Sequence, residues 1–322
     1  MIMVTGGKGV GKSTISRLLA NLLLSKEKSV YILDGDVGQS ERNPPGCVSL
    51  FHVDGPLLGV PHLHQKSSLL TYFYGNISPE DDSDSYLLLL LKLIDYFKSI
   101  APAGSVLVFN TLGWVEGEGV FKFVFYENAS NYPVIFQKQQ LSVPFNLSAA
   151  SLRDLLILGY MSAVSPSPSI SAFAMAIPYA VNFNSIAINF HPQLCGVPDT
   201  HIFAVLNCTL IALCISDDEI VKRRLLNRED MPWLLKSSLT LRLIGFGFIR
   251  GIDIDKRFFY VITPVDRSDL VKVNTFARGL NIEMPHQFLA KQFIFIYKSF
   301  FHNTSNFIQI EKFYSGRTRR PI

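Results

Sequence analysis

Close to its first residue, the chain carries a short segment that restricts the fold more than any other feature. The segment reads Gly6-Gly7-Lys8-Gly9-Val10-Gly11-Lys12-Ser13-Thr14 and fits the pattern G-x-x-x-x-G-K-[ST]. In this pattern backbone N–H groups face phosphate oxygens, the lysine reaches the β- and γ-phosphates, and the serine hydroxyl ligates Mg²⁺. An apolar strand precedes the segment, and helical spacing of apolar residues follows Ser13. The segment therefore predicts a nucleoside-triphosphate site.

Composition limits the classes of protein to consider. A length of 322 residues is enough for one large domain or two ordinary ones. The chain is 48% hydrophobic and only 17% charged, so it can build a substantial core. A net charge of +4 permits a polyanionic partner without requiring one. The four cysteines form no C-x-x-C pair, which favours reduced thiols in an intracellular protein. Neither a signal peptide nor a membrane-spanning run is evident.

Buried-strand patterns alternate with helical patterns over the first half of the chain. Strands are predicted at residues 30–33, 48–51, 106–110 and 134–136, and helices after Ser13, over 86–100 and over 120–126. This alternation is typical of an α/β fold with a doubly wound parallel sheet, here a P-loop NTPase domain over 1–180. A lid is expected around 148–170, bordered by the Ser/Pro-rich residues 165–169.

The pattern of apolar and polar residues changes after His201. Short apolar runs at 203–206, 209–215, 243–249 and 258–262 are separated by polar turns and glycines, which predicts a smaller β-rich C-terminal domain over 200–322. A basic group, Lys222-Arg223-Arg224 with Arg228, is interpreted as a helix face that either tracks a phosphate backbone or is simply solvated.

Two acids end the second strand, in Asp34-Gly35-Asp36. Residues two apart share a face of a strand, so both carboxylates are expected beside the bound triphosphate. In one reading the two acids divide the work, one holding metal-bound water and the other accepting a proton from an attacking hydroxyl. The other reading assigns both to Mg²⁺ only, and the spacing does not separate the two. Gln39 is a candidate for orienting a water or a substrate group.

Four further residues are candidates, each with an ordinary structural alternative. Lys8 is either solvated or near the phosphates, because it stands one position out of register for a signature lysine. Thr111 either bonds a phosphate or caps a turn. Trp114 either stacks on a base or packs in a core. Arg153 either neutralises the transferring phosphoryl group or lies exposed on a helix.

Several segments together resemble one family, the polynucleotide 5′-hydroxyl kinases, and within it the nucleolar branch that processes pre-ribosomal RNA. Asp34-Gly35-Asp36-Val37-Gly38-Gln39 resembles the D-x-D-x-G-Q signature, and Pro44-Pro45-Gly46-Cys47-Val48-Ser49-Leu50 resembles the segment that follows it. Asn110-Thr111-Leu112-Gly113-Trp114-Val115 is similar to the N-T-x-G-W-V motif. Leu152-Arg153-Asp154-Leu155 is similar to the lid, and residues 245–253 are similar to a C-terminal motif.

The resemblance implies an ATP-dependent kinase that phosphorylates RNA 5′-hydroxyl ends during removal of internal transcribed spacer 2, in the nucleolus of the nucleus, with a HEPN-type endonuclease as partner. It implies ATP and Mg²⁺ as cofactors, with Ser13 and Asp34 on the metal and Lys12, Asp36 and Arg153 as catalytic residues. Gln39, Thr111 and Trp114 would then contact RNA. Membrane association is not expected.

The sequence also departs from the family pattern. The β-rich N-terminal domain of the family is not found before the first strand, only one lid arginine is identified, and residues 293–307 look unlike the family ending. An alternative is therefore an ATP-binding structural subunit that docks an endonuclease and has lost its kinase chemistry. A GTPase or regulatory NTPase is a weaker alternative, since no guanine-recognition motif is present.

Overall fold

We analysed a computed structural model of the chain. The structure describes residues 1–26, 28–63, 65, 68–113, 134–136, 147–165, 172–216, 222–235, 240–286, 288–289 and 308–309. The chain divides into two compact units, Met1–Tyr160 and Met161–Ile322. The functional boundaries drawn from the sequence, 1–180 and 200–322, stay predictions.

The first unit is built on parallel strands that the sequence predicts. β2 (Val30–Asp34) pairs in parallel with β5 (Val106–Asn110), β5 with β1 (Ile2–Thr5), and β1 with β6 (Val134–Phe136), so the strand order runs β2-β5-β1-β6. This arrangement confirms the prediction of an α/β P-loop fold. The strands of the unit are β1 (Ile2–Thr5), β2 (Val30–Asp34), β3 (Cys47–His52), β4 (Leu70–Phe73), β5 (Val106–Asn110) and β6 (Val134–Phe136).

Two helices cover opposite faces of these strands. α1 (Lys12–Leu24) packs through Ala20 against a cluster that contains Val4, Ile32 and Val108. α2 (Ser83–Ile100) packs against the residues of alternate parity, which include Met3, Leu33 and Phe109. Successive strand residues point to opposite faces, so apolar runs without polar interruptions are what a sheet covered on both sides requires.

The sheet is mixed and not wholly parallel. β3 runs antiparallel to β2, with Asp34 opposite Ser49, and β4 runs antiparallel to β3. The chain reverses between Asp34 and Cys47 without a helical crossover, which a parallel connection would need. This reversal returns residues 36–46 to the carboxyl end of β2, where the candidate acids lie.

The second unit is β-rich, and its core is aromatic. Phe183 and Phe259 have ring centroids 4.6 Å apart, and Phe276 stands 5.6 Å from Phe259. β12 (Leu241–Asp253) pairs antiparallel with β9 (Leu210–Ile215) and β13 (Phe258–Ile262), while β14 (Thr275–Arg278) pairs with β8 (Ala187–Phe190) and β9. The strands are β7 (Tyr179–Asn182), β8 (Ala187–Phe190), β9 (Leu210–Ile215), β10 (Lys222–Arg224), β11 (Trp233–Leu235), β12 (Leu241–Asp253), β13 (Phe258–Ile262), β14 (Thr275–Arg278) and β15 (Ile308–Gln309).

Two local predictions in this region are wrong. The run at 203–206, expected as a strand, lies in the short helix Ile202–Leu206. The basic triplet Lys222–Arg224, expected on a helix, is strand β10, paired antiparallel with Trp233–Leu235. Runs of three or four residues are too short to establish a period, so tertiary pairing decided both cases. The remaining described helices are α3 (Ala149–Ser162), α4 (Ala172–Met175), α5 (Ile202–Leu206) and α6 (Arg267–Leu270).

Three sequence predictions lie outside the described residues: the helix at 120–126, Trp114, and the Ser/Pro-rich residues from 166 onward. Among the helices that the structure does describe, none combines the length and the apolar character needed to cross a bilayer.

Candidate active site

The phosphate-binding segment connects β1 to α1. Gly9 and Gly11 have φ values of +76° and +92°, in the left-handed region that side chains disfavour. Gly11 is the N-cap of α1, and no side chain caps the first turn. The unpaired N–H groups of that turn, together with the helix dipole, therefore present an anion-binding end.

A cavity of 580 Å³ opens at this end of the unit. Four segments face it: the phosphate loop, residues 36–39 after β2, residues 77–80 before α2, and residues 112–113 after β5. Arg153, from the first turns of α3, completes the wall. The predicted site residues that line it are Lys8, Gly9, Gly11, Lys12, Ser13, Thr14, Asp36, Gln39 and Arg153.

Two of the other predicted residues, Asp34 and Thr111, stand behind this surface. Asp34 is only 1% exposed, and Thr111 directs its hydroxyl to the carbonyl oxygen of Val4 at 2.9 Å. Gly6, Gly7 and Val10 belong to the loop without contributing to the cavity lining. Trp114 lies outside the described residues.

Lys12 places a cation at the floor of the cavity. Its Nζ donates to the carbonyl oxygen of Gly7 at 2.9 Å, and the side chain is buried. Burial lowers the pKa of Lys12, while the negative charge of Asp36 raises it in part. The ammonium group is therefore poorly solvated, and a bound phosphate would replace the Gly7 carbonyl as its partner.

Close packing against Lys8 explains why residue 113, at the end of the Asn110-Thr111-Leu112-Gly113 segment, is a glycine. A Cβ on Gly113 would lie 3.0 Å from both Cα and N of Lys8. The segment after β5 thus packs directly on the backbone of the phosphate loop, and only glycine fits there without a shift.

Asp36 is the acid that faces the cavity. Its Oδ1 accepts hydrogen bonds from the backbone N–H groups of Gly38 at 3.1 Å and Gln39 at 2.9 Å. Burial raises the pKa of Asp36, and these bonds and the charge of Lys12 oppose the shift. A fixed carboxyl group with a raised pKa is a better proton acceptor than a solvated aspartate.

Asp34 has a different environment, although it lies only two residues away. Its Oδ2 accepts from the hydroxyl of Ser40 at 2.8 Å and from the N–H of Glu41 at 2.6 Å. Its Oδ1 accepts from Nδ2 of Asn110 at 3.3 Å. Burial raises the pKa of Asp34 to about 7, against the lowering effect of these bonds. The carboxyl group holds the returning loop to the strand tips.

Three buried partners escaped the sequence reasoning about individual residues. Asn110 lies at the end of β5 beside Asp34, and its Nδ2 also reaches Oγ of Ser13 at 3.4 Å. Tyr86 donates to the carbonyl oxygen of Gly35 at 2.7 Å. Glu41 contacts α1 and is described below. The sequence could have placed Asn110 in the site, because the carboxyl ends of neighbouring parallel strands meet at one edge of the sheet. No sequence pattern indicated Tyr86 or Glu41.

The oxygen groups at the cavity fit a magnesium ion. The Ser13 hydroxyl and the Asp36 carboxyl group both line it, and hard oxygen donors are what Mg²⁺ prefers. Among the described residues, no group of three or more His, Cys, Asp or Glu side chains is placed so that it could hold a metal ion by itself. Mg²⁺ ordinarily takes one or two protein oxygens together with phosphates and waters, so such a sparse protein contribution suits it.

Comparison with known proteins supports the resemblance to a known family. Residues 6–126 match the family model described as mRNA cleavage and polyadenylation factor CLP1 P-loop, and residues 174–285 match the model described as NOL9-like, C-terminal domain. The chain is similar to proteins of the polynucleotide 5′-hydroxyl-kinase family. The expectation drawn from the sequence motifs is thereby confirmed.

Curated relatives in this family bear the name polynucleotide 5′-hydroxyl-kinase. The chain is 36% identical to nol-9 of Caenorhabditis briggsae, over 89% of this chain and 59% of that protein. It is 28% identical to human NOL9, over 89% of this chain and 49% of that protein. It is 29% identical to NOL9 of Arabidopsis thaliana, over 88% of this chain and 85% of that protein. The chain thus spans about half to three-fifths of the first two relatives.

A solved structure supports the fold assignment. A chain in a structure of the extended interface between Pcf11p and Clp1p, which also addresses ATP loss in a Gly135Arg point mutant, aligns with a TM-score of 0.57. The alignment covers 88% of this chain and 74% of that chain at 16% identity. At this identity the likeness shows the fold alone.

Proposed function

We propose that the full-length protein is an ATP-dependent kinase that phosphorylates 5′-hydroxyl ends of RNA. The observation that carries this proposal is the placement of Asp36 and Lys12 on the lining of one cavity, close enough for their charges to interact. A simple NTPase needs a positioned water, whereas a kinase needs a carboxylate that accepts the proton of an alcohol. The names of the curated relatives point to the same activity.

The proposed reaction uses the chain's own groups in defined roles. The N–H groups of the phosphate loop and Lys12 hold the triphosphate, and Ser13 would hold Mg²⁺, which neutralises phosphate charge when bound. The 5′-hydroxyl oxygen forms a bond to the γ-phosphorus, the bond to the β–γ bridging oxygen breaks, and ADP leaves. Asp36 takes the hydroxyl proton, and Arg153 stabilises the charge on the transferred phosphoryl group.

The remaining residues have supporting roles in the proposal. Gln39 lines the cavity three residues after Asp36, where it can orient the RNA 5′-hydroxyl group that accepts the phosphate. Asp34 supports the metal indirectly, since it anchors Asn110 and the loop that carries Asp36. Trp114 is proposed to contact RNA, and Thr111, whose hydroxyl donates to the carbonyl oxygen of Val4, to hold the chain just before it in place. We extend the proposal to pre-ribosomal RNA processing at internal transcribed spacer 2 in the nucleolus, with a HEPN-type endonuclease as partner.

The test is transfer of labelled phosphate from ATP to a 5′-hydroxyl oligoribonucleotide by the full-length protein. We expect transfer by the wild type, and a fall in kcat of about 10²–10⁴-fold in Asp36→Asn with ATP binding retained. Asp95→Asn serves as a matched control, because that side chain is 77% exposed on α2. A wild-type protein that binds ATP but transfers nothing would contradict the proposal and favour the structural-subunit alternative.

A further inference from the structure

Glu41 joins two parts of the nucleotide site although it lies outside every motif. Its backbone N–H donates to Oδ2 of Asp34 at 2.6 Å, which fixes its main chain at the tip of β2. Its side chain is only 10% exposed and extends to α1, the helix that begins with Lys12. A glutamate is rarely buried to this degree without partners, so its contacts indicate its role.

The partners of the Glu41 carboxylate are both on the first turn and a half of α1. The hydroxyl of Ser13 lies close enough to lower the pKa of Glu41 as a hydrogen-bond donor does, against the rise that burial causes, and Nε of Arg17 stands 3.7 Å from Oε2 of Glu41. The same Nε donates to the backbone carbonyl of Ser13 at 3.3 Å. Arg17 thus holds the carboxylate and the Ser13 backbone together, so that the hydroxyl and its acceptor keep one relative position.

This contact sets the direction of the Ser13 hydroxyl. A serine hydroxyl has one proton and two lone pairs. Nδ2 of Asn110 donates to one lone pair at 3.4 Å, and the nearby Glu41 carboxylate is an acceptor for the proton. Since Ser13 lines the cavity, the second lone pair is left for a ligand there. A hydroxyl oriented in this way can bind a cation without first rotating.

We propose that Glu41 is a positioning residue for Mg²⁺, acting through the Ser13 hydroxyl without touching the reacting atoms. The inference rests on the proposed function, because it assumes that the cavity holds a magnesium–nucleotide complex. Groups that orient metal ligands from behind typically change metal affinity by about 10–100-fold when they are replaced. Asp34, whose oxygens are engaged by Ser40, Glu41 and Asn110, leaves this role to Glu41.

The direct experiment measures nucleotide binding and needs no catalysis. The full-length protein is titrated with a fluorescent, non-hydrolysable ATP analogue at a series of Mg²⁺ concentrations and in EDTA. We expect Glu41→Gln to raise the half-saturating Mg²⁺ concentration about tenfold and to leave the affinity in EDTA within about twofold. Glu229→Gln is the matched control, since Glu229 is exposed in the second unit.

A double-variant comparison tests whether Glu41 acts through Ser13. If it does, Ser13→Ala raises the Mg²⁺ requirement, and adding Glu41→Gln to Ser13→Ala causes no further rise. Additive effects of the two substitutions would overturn the inference, and so would an unchanged Mg²⁺ requirement in Glu41→Gln. Equal losses of affinity with and without Mg²⁺ would show a merely structural role and would also overturn it.

Folding is checked by thermal melting of each variant. If Glu41→Gln does not fold, Glu41→Asp keeps the charge but shortens the reach by one methylene, and the same rise in Mg²⁺ requirement is expected. Failure of the wild type to bind the analogue at any Mg²⁺ concentration would count against the proposed function. Normal wild-type binding with an unaffected Glu41 variant would count against this inference alone.

Discussion

The hydroxyl group of Tyr86 donates a 2.7 Å hydrogen bond to the carbonyl oxygen of Gly35, the residue between the two candidate acids. Tyr86 comes from α2, and both groups are buried. A Cβ on Gly35 would lie 3.1 Å from this hydroxyl and 2.8 Å from the ring of Phe109. The peptide that carries Asp34 into Asp36 is therefore clamped by α2 and β5.

Removal of this hydroxyl should loosen the acids without altering their chemistry. Tyr86→Phe leaves the Gly35 carbonyl unpaired in the interior, so we expect a loss of about 1–3 kcal/mol in the free energy of unfolding. We also expect kcat to fall while KM for ATP changes little, because Asp36 is proposed to accept the proton of the attacking hydroxyl and not to bind ATP. Urea unfolding and phosphate transfer measure the two effects.

Tyr96→Phe is the control for this prediction. Tyr96 lies half-buried on the same helix, and its substitution by phenylalanine removes the same hydroxyl group from a different environment. Equal destabilisation by the two substitutions would contradict the special role of the Tyr86 hydroxyl.

Gly113→Ala should weaken ATP binding. The new methyl group would meet the Lys8 backbone at 3.0 Å, so the phosphate loop or the segment after β5 must move. Overpacking of this kind costs about 1–3 kcal/mol, and we expect the Kd for ATP to rise about tenfold. Gly55→Ala is a matched control, since nothing lies within 4 Å of its Cβ position. Calorimetric titration with ATP measures both, and equal affinities would refute the packing argument.

Arg153→Ala should slow phosphate transfer more than it weakens substrate binding. Arg153 lines the cavity from α3, where its charge can meet the transferring phosphoryl group. Removing one such charged donor typically lowers kcat by about 10²–10³-fold. Arg153→Lys should recover part of the rate, and Arg242→Ala, at an exposed position of β12, should have no effect. A change confined to KM would show that the arginine binds the ground state equally well.

Asp199 supplies a pH-dependent contribution to stability in the second unit. Its two oxygens accept from Arg223 at 2.6 and 2.7 Å, and its Oδ2 also accepts from the N–H of Leu226. These bonds lower the pKa of Asp199 below its usual value of 3.8. The contribution is therefore complete well above pH 3.8 and is lost as the pH falls through the lower folded-state pKa.

The corresponding test compares Asp199→Asn with the wild type by urea unfolding. Because Arg223 is more than half exposed, we expect a loss of only about 1 kcal/mol at pH 7. The difference should shrink when the measurement is repeated at successively lower pH values below 3.8. Asp255→Asn, an exposed acid in the same unit, should show no difference at either end of the range.

Local sequence patterns were sufficient to predict much of the secondary structure of the first unit. The phosphate loop, the strand before it and the helix after it follow from glycine freedom and from apolar spacing, which act within about fifteen residues. The strand that ends at Asp34 and the strand that ends at Asn110 were predicted in the same way. The antiparallel course of β3 was not, because the direction of a strand depends on partners far along the chain.

The two acids show most clearly what the sequence alone determined. It established that Asp34 and Asp36 would stand together at a strand tip, and their spacing left their roles undivided. The tertiary structure separated their environments: Asp34 accepts from Ser40, Glu41 and Asn110, whereas Asp36 faces the cavity beside Lys12. Glu41 reaches Ser13 only because the chain reverses after β2, and no spacing rule encodes that meeting. Local periodicity and glycine geometry are properties of short segments, while burial and hydrogen-bond partners arise only when distant segments pack.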